Sequence, residues 1–405
     1  MFYGPLFHLN RMKRIVILSL LLIILVPCLN AQRKEIGQAR TFMKSGKNFD
    51  RAEKLMRDLL KDSANRENVK IHSILCDALR KQYEAGNMKM YLKQKVDTAQ
   101  LFHLTRTMFM DFETLDSLDA RPNKKGEVKP RYRDKNAQFL NTYRMNLFNG
   151  GVFFIRKQDY LTAYKMFDTY IDCAQQPLFT FYHYPASPEA AYWTVFCGYK
   201  LQDTDLALKY ADMALEDTAH LEFTYEYLAE IYKKQDDRER YVQALRDGFF
   251  HYKDNKYFFT YLIDHYNAVQ QSDSAMHIVD AALEHDANSE LFLFAKSNLL
   301  LNTGRYDECI ALCDTMIARN DSLADFHYNA GVAYMNQAFI IQRDQKMNAK
   351  TRKKVSEKYN KAKNYIERYR LLAPDQKDKW AAALYNIYLQ LNMGKQFEEI
   401  DKLLR

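Results

Sequence analysis

Apolar residues recur along this chain at the spacing expected of helices that bury one face. In the stretch that begins at residue 256, Phe259 and Tyr266 fall on one helical stripe. After a short polar turn, Ala275, Val279 and Ala282 form a second stripe that would face the first. The pattern predicts two antiparallel helices joined by a turn, and no period-two alternation typical of strands competes with it.

The same pattern repeats at a fixed interval. Position 20 of the repeating window is small at Ala207, Ala275 and Cys309, as two closely crossing helices require. Two short helices cannot bury their apolar faces alone, so each pair needs its neighbours. The windows follow one another every 34 residues without insertion and begin at Pro188, Glu222, Lys256, Glu290 and Ala324.

With this period and these residues, the chain resembles the tetratricopeptide-repeat (TPR) family. The resemblance is strongest between Arg144 and Asp321 and looser elsewhere. It implies an all-α fold, a right-handed superhelical solenoid of antiparallel helix pairs. It also implies a scaffold that binds other molecules and performs no catalysis, so we expect the chain not to be an enzyme.

The chain divides into segments by pattern and composition. The turn-forming residues Pro122, Gly126 and Pro130 interrupt the helical pattern before the main array. The expected segments are a signal peptide over 1–31, a helical region with one degenerate repeat over 32–118, a polar basic linker over 119–137, and a TPR-like array over 138–405 with insertions near 178–187 and 341–358.

The first residues have the pattern of an export signal. Arg11, Lys13 and Arg14 precede an apolar run over 15–26, which is short for a membrane span, and Ala31 offers a cleavage point. The pattern predicts an exported protein, in the periplasm or associated with the outer membrane.

Two alternatives stay open at this end of the chain. Cys28 could be lipidated instead, which would anchor the chain to a membrane, although Pro27 stands where such sites have a small residue. Met12 could be the true start.

Charge and cysteine content exclude several function classes. The chain has a net charge of +8, which falls to +5 (56 basic against 51 acidic residues) without the three basic residues of the signal, too little to predict nucleic-acid binding. Two local basic runs are interpreted as solvated loops, with contact to an anionic surface as the alternative. They contain Lys124, Lys125, Lys129, Arg131 and Arg133, and Lys346, Lys350, Arg352, Lys353 and Lys354.

Neither the cysteine spacing nor a catalytic motif predicts a metal site or an active site. Cys309 and Cys313 lie one helical turn apart, but both occupy positions where the repeat has buried residues, so structural thiols are expected. His183 lies in an aromatic stretch without a nearby acid. No motif for a metal, a cofactor or a nucleophile is present, so no cofactor and no metal is predicted.

The resemblance assigns the partner site to the first helix of each pair, which lines the concave groove in TPR proteins. One end of that groove would be aromatic and its middle polar, which suits a protein or peptide ligand. The groove residues carried over by position are Phe148, Tyr192, Phe196, Tyr199, Lys200, Glu226, Glu230, Asp264, Asn267, Phe294, Asn298 and Tyr328.

The sequence therefore indicates two candidate functions. The first is a scaffold for protein–protein interaction in the cell envelope. The alternative is an accessory protein for nutrient capture at the outer membrane, in which the stretch FTFYHY (179–184) would stack on glycans. Neither the identity of the partner nor the oligomeric state follows from the sequence.

Overall fold

The computed structural model describes residues 32–405. Throughout that range the secondary structure is helical, with turns and no strand, so the predicted all-α fold of TPR-like helix pairs is confirmed. The predicted signal peptide over 1–31, including Cys28, lies outside the described residues. The described residues form two compact units, one that ends at Ile231 and one that covers Tyr232–Arg405.

Helices of the first unit follow each other in antiparallel pairs. Helix α1 covers residues 32–45, and α11 extends three residues beyond the end of this unit. The other bounds are α2 (Phe49–Leu60), α3 (Val69–Tyr91), α4 (Thr98–Asp119), α5 (Arg133–Tyr143), α6 (Met145–Arg156), α7 (Tyr160–Asp172), α8 (Pro188–Leu201), α9 (Thr204–Leu208), α10 (Ala211–Ala214) and α11 (Leu221–Lys234).

In the second unit the helix pairs continue with little interruption. Consecutive helices pack on each other from α12 to α20. Their bounds are α12 (Arg238–His251), α13 (Lys256–Ala268), α14 (Ser272–His285), α15 (Glu290–Asn302), α16 (Tyr306–Arg319), α17 (Ala324–Asp344), α18 (Ala349–Leu372), α19 (Lys377–Gln390) and α20 (Gly394–Leu404).

Small residues sit where paired helices cross, as the repeat predicted. Ala207, Ala275 and Cys309 are all fully buried. A Cβ atom added at Gly198 of α8 would lie 2.4 Å from the backbone of Ala207 in α9. Only glycine lets the two backbones approach this closely, so the crossing depends on that residue.

The helix predicted to follow α8, in the window that begins at Pro188, is interrupted. It consists of α9 and α10, separated at Lys209 and Tyr210, and both short helices pack on α8. The side chains of Lys209 and Tyr210 both contact Asp168 of α7, with Nζ and hydroxyl distances of 2.5 and 2.9 Å to Oδ1. These contacts tie the break to the preceding pair.

The polar stretch between α4 and α5 is attached to the fold by ion pairs. Arg133 donates to Asp116 at 2.7 Å, and Asp116 is buried. Arg131 contacts Asp119 at 3.1 Å. Two of the basic residues interpreted as a solvated loop therefore hold this segment against α4, and α5 already begins at Arg133, inside the range assigned to the linker.

The stretch near 341–358 is helical rather than a loop. Helix α17 continues to Asp344 and α18 begins at Ala349, so the two form a long antiparallel pair. Thr351, Val355 and Tyr359 are buried on one face of α18. The interpretation of the second basic run as a solvated loop is wrong for Lys350 and Arg352–Lys354, because these residues lie on the polar face of this helix.

Candidate functional site

An aromatic cluster in the first unit is the most distinctive side-chain arrangement among the predicted site residues. Tyr199 of α8 stacks on Tyr227 of α11 with ring centroids 4.8 Å apart. Phe196 lies 5.7 Å from the same Tyr227 ring, and Tyr192 lies 6.4 Å from it. Tyr227 therefore joins the aromatic stripe of α8 to α11.

The sequence of α8 explains why these rings share a face. Tyr192, Phe196 and Tyr199 are spaced by four and three residues, which places them on one side of a helix. Pro188 occupies the first turn, where its missing N–H costs no hydrogen bond. A second side of α8 carries Ala191 and Gly198, which are buried.

Aromatic contacts extend the cluster toward α7. Phe196 meets Tyr160 edge to face at 5.8 Å and Trp193 at 5.6 Å. The Trp193 indole stacks on Phe167 at 6.3 Å, with the two planes 13° apart. Such pairs add about 0.5 to 1.5 kcal/mol each beyond the area that they bury. The rings thus hold one another in fixed orientations.

A lysine lies at one end of the cluster. The exposed Lys200 places its Nζ 5.5 Å from the centre of the Phe196 ring and 5.6 Å from that of Tyr199. Both distances allow a cation–π contact. Phe196, Tyr199 and Tyr227 are half-buried, so parts of these rings remain accessible beside the ammonium group.

One predicted groove residue proves to be a packing residue, and a second packs on α7 while it stays half-buried. Tyr192 is only 5% exposed and stacks on His220 at 4.3 Å, and burial raises the pKa of its hydroxyl. Phe148 packs edge to face on Phe167 and Tyr170 of α7 at 5.3 and 5.7 Å. The expectation that Tyr192 faces an open groove is wrong, because His220 and Tyr227 cover it.

Three residues of the cluster were missed by the sequence analysis. Trp193 is next to a predicted residue but not at a groove position of the repeat, and Tyr227 and His220 occupy positions that the family pattern does not assign. Three closely spaced aromatic residues in α11, Phe223, Tyr225 and Tyr227, are the sequence signal that could have indicated an aromatic cluster. Glu226 and Glu230, which were predicted, are half-buried on α11.

The remaining predicted residues lie in the second unit and do not form an aromatic cluster. Asp264 and Asn267 are exposed on α13. Asn298 accepts a hydrogen bond from Asn329 Nδ2 at 2.7 Å, so its amide serves packing between α15 and α17.

The aromatic residues predicted there are also engaged. Phe294 of α15 meets Phe326 edge to face at 6.0 Å. Tyr328 of α17 lies 5.1 Å from the ring of Tyr369. Both are half-buried.

The aromatic stretch 179–184 is held against the fold by contacts of its first and last rings. Phe179 is buried and stacks on Phe109 of α4 at 5.7 Å. The guanidinium of Arg144 lies between Tyr170 and Tyr184, 3.8 and 4.0 Å from the two ring centres. Only the tip of the stretch is open, and Phe181 is 75% exposed there.

A buried carboxyl group lies in a separate cleft of the first unit. The cleft, of about 540 Å³, is lined by α4 and α7. Glu113 Oε1 is buried there without a hydrogen-bond partner. Burial raises the pKa of Glu113 to about 8, and the negative charge of Asp172 acts in the same direction.

The five cysteines of the described range are buried, and none of them forms a disulfide bond. They are Cys76, Cys173, Cys197, Cys309 and Cys313. Burial raises the pKa of Cys173 to about 11 and that of Cys197 to about 12, so both stay as thiols at neutral pH. Residues 32–405 contain no group of three or more histidine, cysteine or acidic side chains placed to hold a metal ion.

Comparison with known proteins finds similarity at the level of structure only. No protein-family model matches the chain, and no curated protein matches it in sequence. The C-terminal part of a TPR repeat-containing protein from Cytophaga hutchinsonii is 13% identical, with 63% of this chain and 93% of that chain covered at a TM-score of 0.42. YrrB, described as a TPR protein with an unusual peptide-binding site, is 19% identical, with coverages of 47% and 93% and a TM-score of 0.32. The human IFIT1 dimer with PPP-AAAA is 15% identical, with coverages of 80% and 72% and a TM-score of 0.36.

Proposed function

We propose that this chain is an exported scaffold that binds a protein partner in the cell envelope. The observation that carries the proposal is the aromatic cluster on α8 and α11, whose half-buried rings adjoin the exposed ammonium group of Lys200. Export is inferred from the sequence pattern over 1–31 and would place the partner in the periplasm or at the outer membrane.

The chemistry of this face favours an extended peptide with apolar and acidic side chains. Phe196, Tyr199 and Tyr227 hold each other rigidly, so a ligand that contacts them orders few protein side chains. Aromatic anchors dominate peptide recognition, with truncation costs of about 2 kcal/mol or more at the centre of an interface. Lys200 would pair with a carboxylate of the ligand and fix its position along α8.

Binding can be tested with a displayed library of peptides rich in aromatic and acidic residues. The affinity of selected peptides is measured by fluorescence anisotropy against the full chain and the variants Tyr199→Ala and Lys200→Glu. We expect each variant to lose at least tenfold in affinity, because each removes one of the two recognition elements.

Matched controls come from the same unit. Leu161 and Lys165 of α7 are exposed apolar and basic residues outside the cluster. Leu161→Ala and Lys165→Glu should bind the peptides as the parent does. If all four variants bind equally, the aromatic face of α8 is not the partner site.

A second candidate, glycan capture, has one observation in its favour. The largely exposed ring of Phe181 stands at the tip of the anchored stretch, with the half-buried Tyr182 beside it. Exposed rings of this kind can stack on sugars. Phe181→Ala should then abolish binding on a glycan array and leave peptide binding unchanged, whereas an array without any retained glycan would eliminate this candidate.

A further inference from the structure

The C-terminal part of α3 projects beyond the core of the first unit. Helix α3 has 23 residues, but its buried side chains end at Tyr83. Gly86 still lies close to α4, since a Cβ atom added there would lie 3.0 Å from Leu101 Cδ1. Helical rise of about 1.5 Å per residue carries the remaining turn and the following residues past that contact.

This projecting segment, residues 88–95, is here named the α3 tip. Large apolar side chains on it are exposed to an extent that packing does not explain. The exposed fractions are 59% for Met88, 42% for Met90, 83% for Tyr91 and 55% for Leu92. Contiguous exposed apolar side chains are costly in water and indicate an interaction surface.

Basic residues alternate with these apolar side chains. Lys89, Lys93 and Lys95 are exposed, and residues 85–96 contain no aspartate or glutamate. Lys93 closes the helix in the left-handed conformation, with φ 56°. Its N–H donates to the Met90 carbonyl at 3.0 Å, so the chain turns sharply at the end of the helix.

Acidic residues lie near the base of the tip, and two of them make contacts within the fold. Three carboxylates line the cleft of about 720 Å³ behind it. Asp97 accepts the hydrogen bond that caps α4, and Glu53 pairs with Arg57 at 2.7 Å. Lys89 and Lys95 line the same cleft, so charges of both signs lie at its base, whereas the tip itself carries three lysines and no carboxylate.

We propose that the α3 tip is a membrane-contact site that inserts into the headgroup region of a bilayer containing anionic lipids. Tyrosine and lysine are typical of membrane interfaces, where the ring sits at headgroup depth and the ammonium group reaches the phosphates. Lysine is depleted from the centres of protein–protein interfaces, which argues against a protein partner at the tip. Each lysine adds electrostatic attraction to an anionic leaflet.

Such a contact is peripheral and does not depend on the aromatic face of α8. No helix within residues 32–405 is both long and apolar enough to cross a bilayer. The tip would hold the first unit against the lipid surface, and it differs from anchorage through a lipid on Cys28 because the contact is reversible and salt-sensitive.

The test places an environment-sensitive dye on the tip. The full chain carries Cys28→Ser, since the other five cysteines are buried, together with Tyr91→Cys for labelling. A matched chain carries Leu371→Cys in the second unit, where the native side chain is 73% exposed. Each is mixed with vesicles of phosphatidylglycerol and phosphatidylcholine, or of phosphatidylcholine alone, and circular dichroism confirms equal helicity.

We expect the dye at position 91 to shift to the blue and to be quenched by brominated lipid only on anionic vesicles, while the dye at position 371 does neither. Changing Lys89, Lys93 and Lys95 to glutamate should lower the partition coefficient reported by position 91 at least tenfold. No shift at position 91, or an equal shift without anionic lipid, overturns the proposal. A shift that appears without vesicles as protein concentration rises also overturns it, and would assign the tip to self-association.

Discussion

The same repeat position has different environments in the two units. Position 5 of the window holds Tyr192 in the first unit and Phe294 in the second. Tyr192 is covered by His220 and Tyr227 and is almost completely buried. Phe294 meets Phe326 edge to face and stays half-buried. Repeat position thus determines the helix face of a side chain, while the next helix determines how far that side chain remains accessible.

The largest effect is expected when the side chain at position 5 is truncated in each unit. Tyr192→Ala should lower the free energy of unfolding by about 3 to 5 kcal/mol, because it leaves a cavity inside a packed aromatic cluster. Phe294→Ala should cost about 1 to 2 kcal/mol, because the side chain is only partly removed from water. Urea unfolding followed by circular dichroism measures both. Equal losses would mean that the two positions are packed alike.

Glycines at the helix crossings sharpen the comparison between the units. Gly198→Ala should destabilise by about 3 kcal/mol or more, since the new Cβ meets the backbone of Ala207. Gly331→Ala should cost about 1 to 2 kcal/mol, because its Cβ meets the side chain of the buried Ile366, 2.5 Å from Cδ1, and a side chain can shift more easily than a backbone. Thermal unfolding of the two variants ranks them, and a larger loss for Gly331→Ala would contradict the argument.

Glu113 should make the first unit sensitive to pH. Its folded pKa of about 8 lies above the ordinary value of 4.5, so the folded state holds a proton that the unfolded state has released. The resulting stability is fully present below about pH 4.5 and is lost as pH rises through 8. One pKa unit corresponds to about 1.4 kcal/mol, and since solvent still reaches part of the side chain we expect a total change of about 2 to 3 kcal/mol.

Glu113→Gln provides the measurement for this prediction. The amide cannot ionise, so the free energy of unfolding of the variant should change less than that of the parent between pH 5 and about pH 9. Urea titrations at several pH values give both curves. Parallel curves would show that another group causes the pH dependence.

The smallest effect is expected at the exposed polar positions of α13. Asp264→Ala and Asn267→Ala should each change the free energy of unfolding by less than about 0.5 kcal/mol, because neither side chain is packed. If both also leave partner binding unchanged, the binding face is confined to the aromatic cluster. A loss of peptide affinity in either variant would extend the partner site into the second unit.

Much of the fold could be predicted from the sequence because its determinants are local. Ala207 and Ala275 recur at a fixed interval, and their burial follows directly from the packing of each helix pair. The pattern of α18 was also local: Val355, Tyr359 and Ala362 lie on one helical face. The basic residues near its N-terminal end, Lys350 and Arg352–Lys354, led to the wrong interpretation of that end as a loop.

The candidate site was less predictable because its contacts are not local. Burial of Tyr192 depends on His220, a turn residue that the repeat pattern does not constrain. Tyr184 looked exposed in an aromatic stretch, but Arg144, far earlier in the chain, covers its ring. A single sequence carries no information on which distant side chain will fill a given space.

In the stretch 179–184 the first and last residues are held by contacts with the fold, and most of the residues between them are exposed. Tyr184 is held by the guanidinium and by a 2.6 Å hydrogen bond to Asn141, and Phe179 is held by Phe109. Thr180, Phe181 and His183 between them are exposed. The stretch is therefore a natural insertion point for an epitope tag or a fluorophore, because cargo added at the tip leaves both anchors in place.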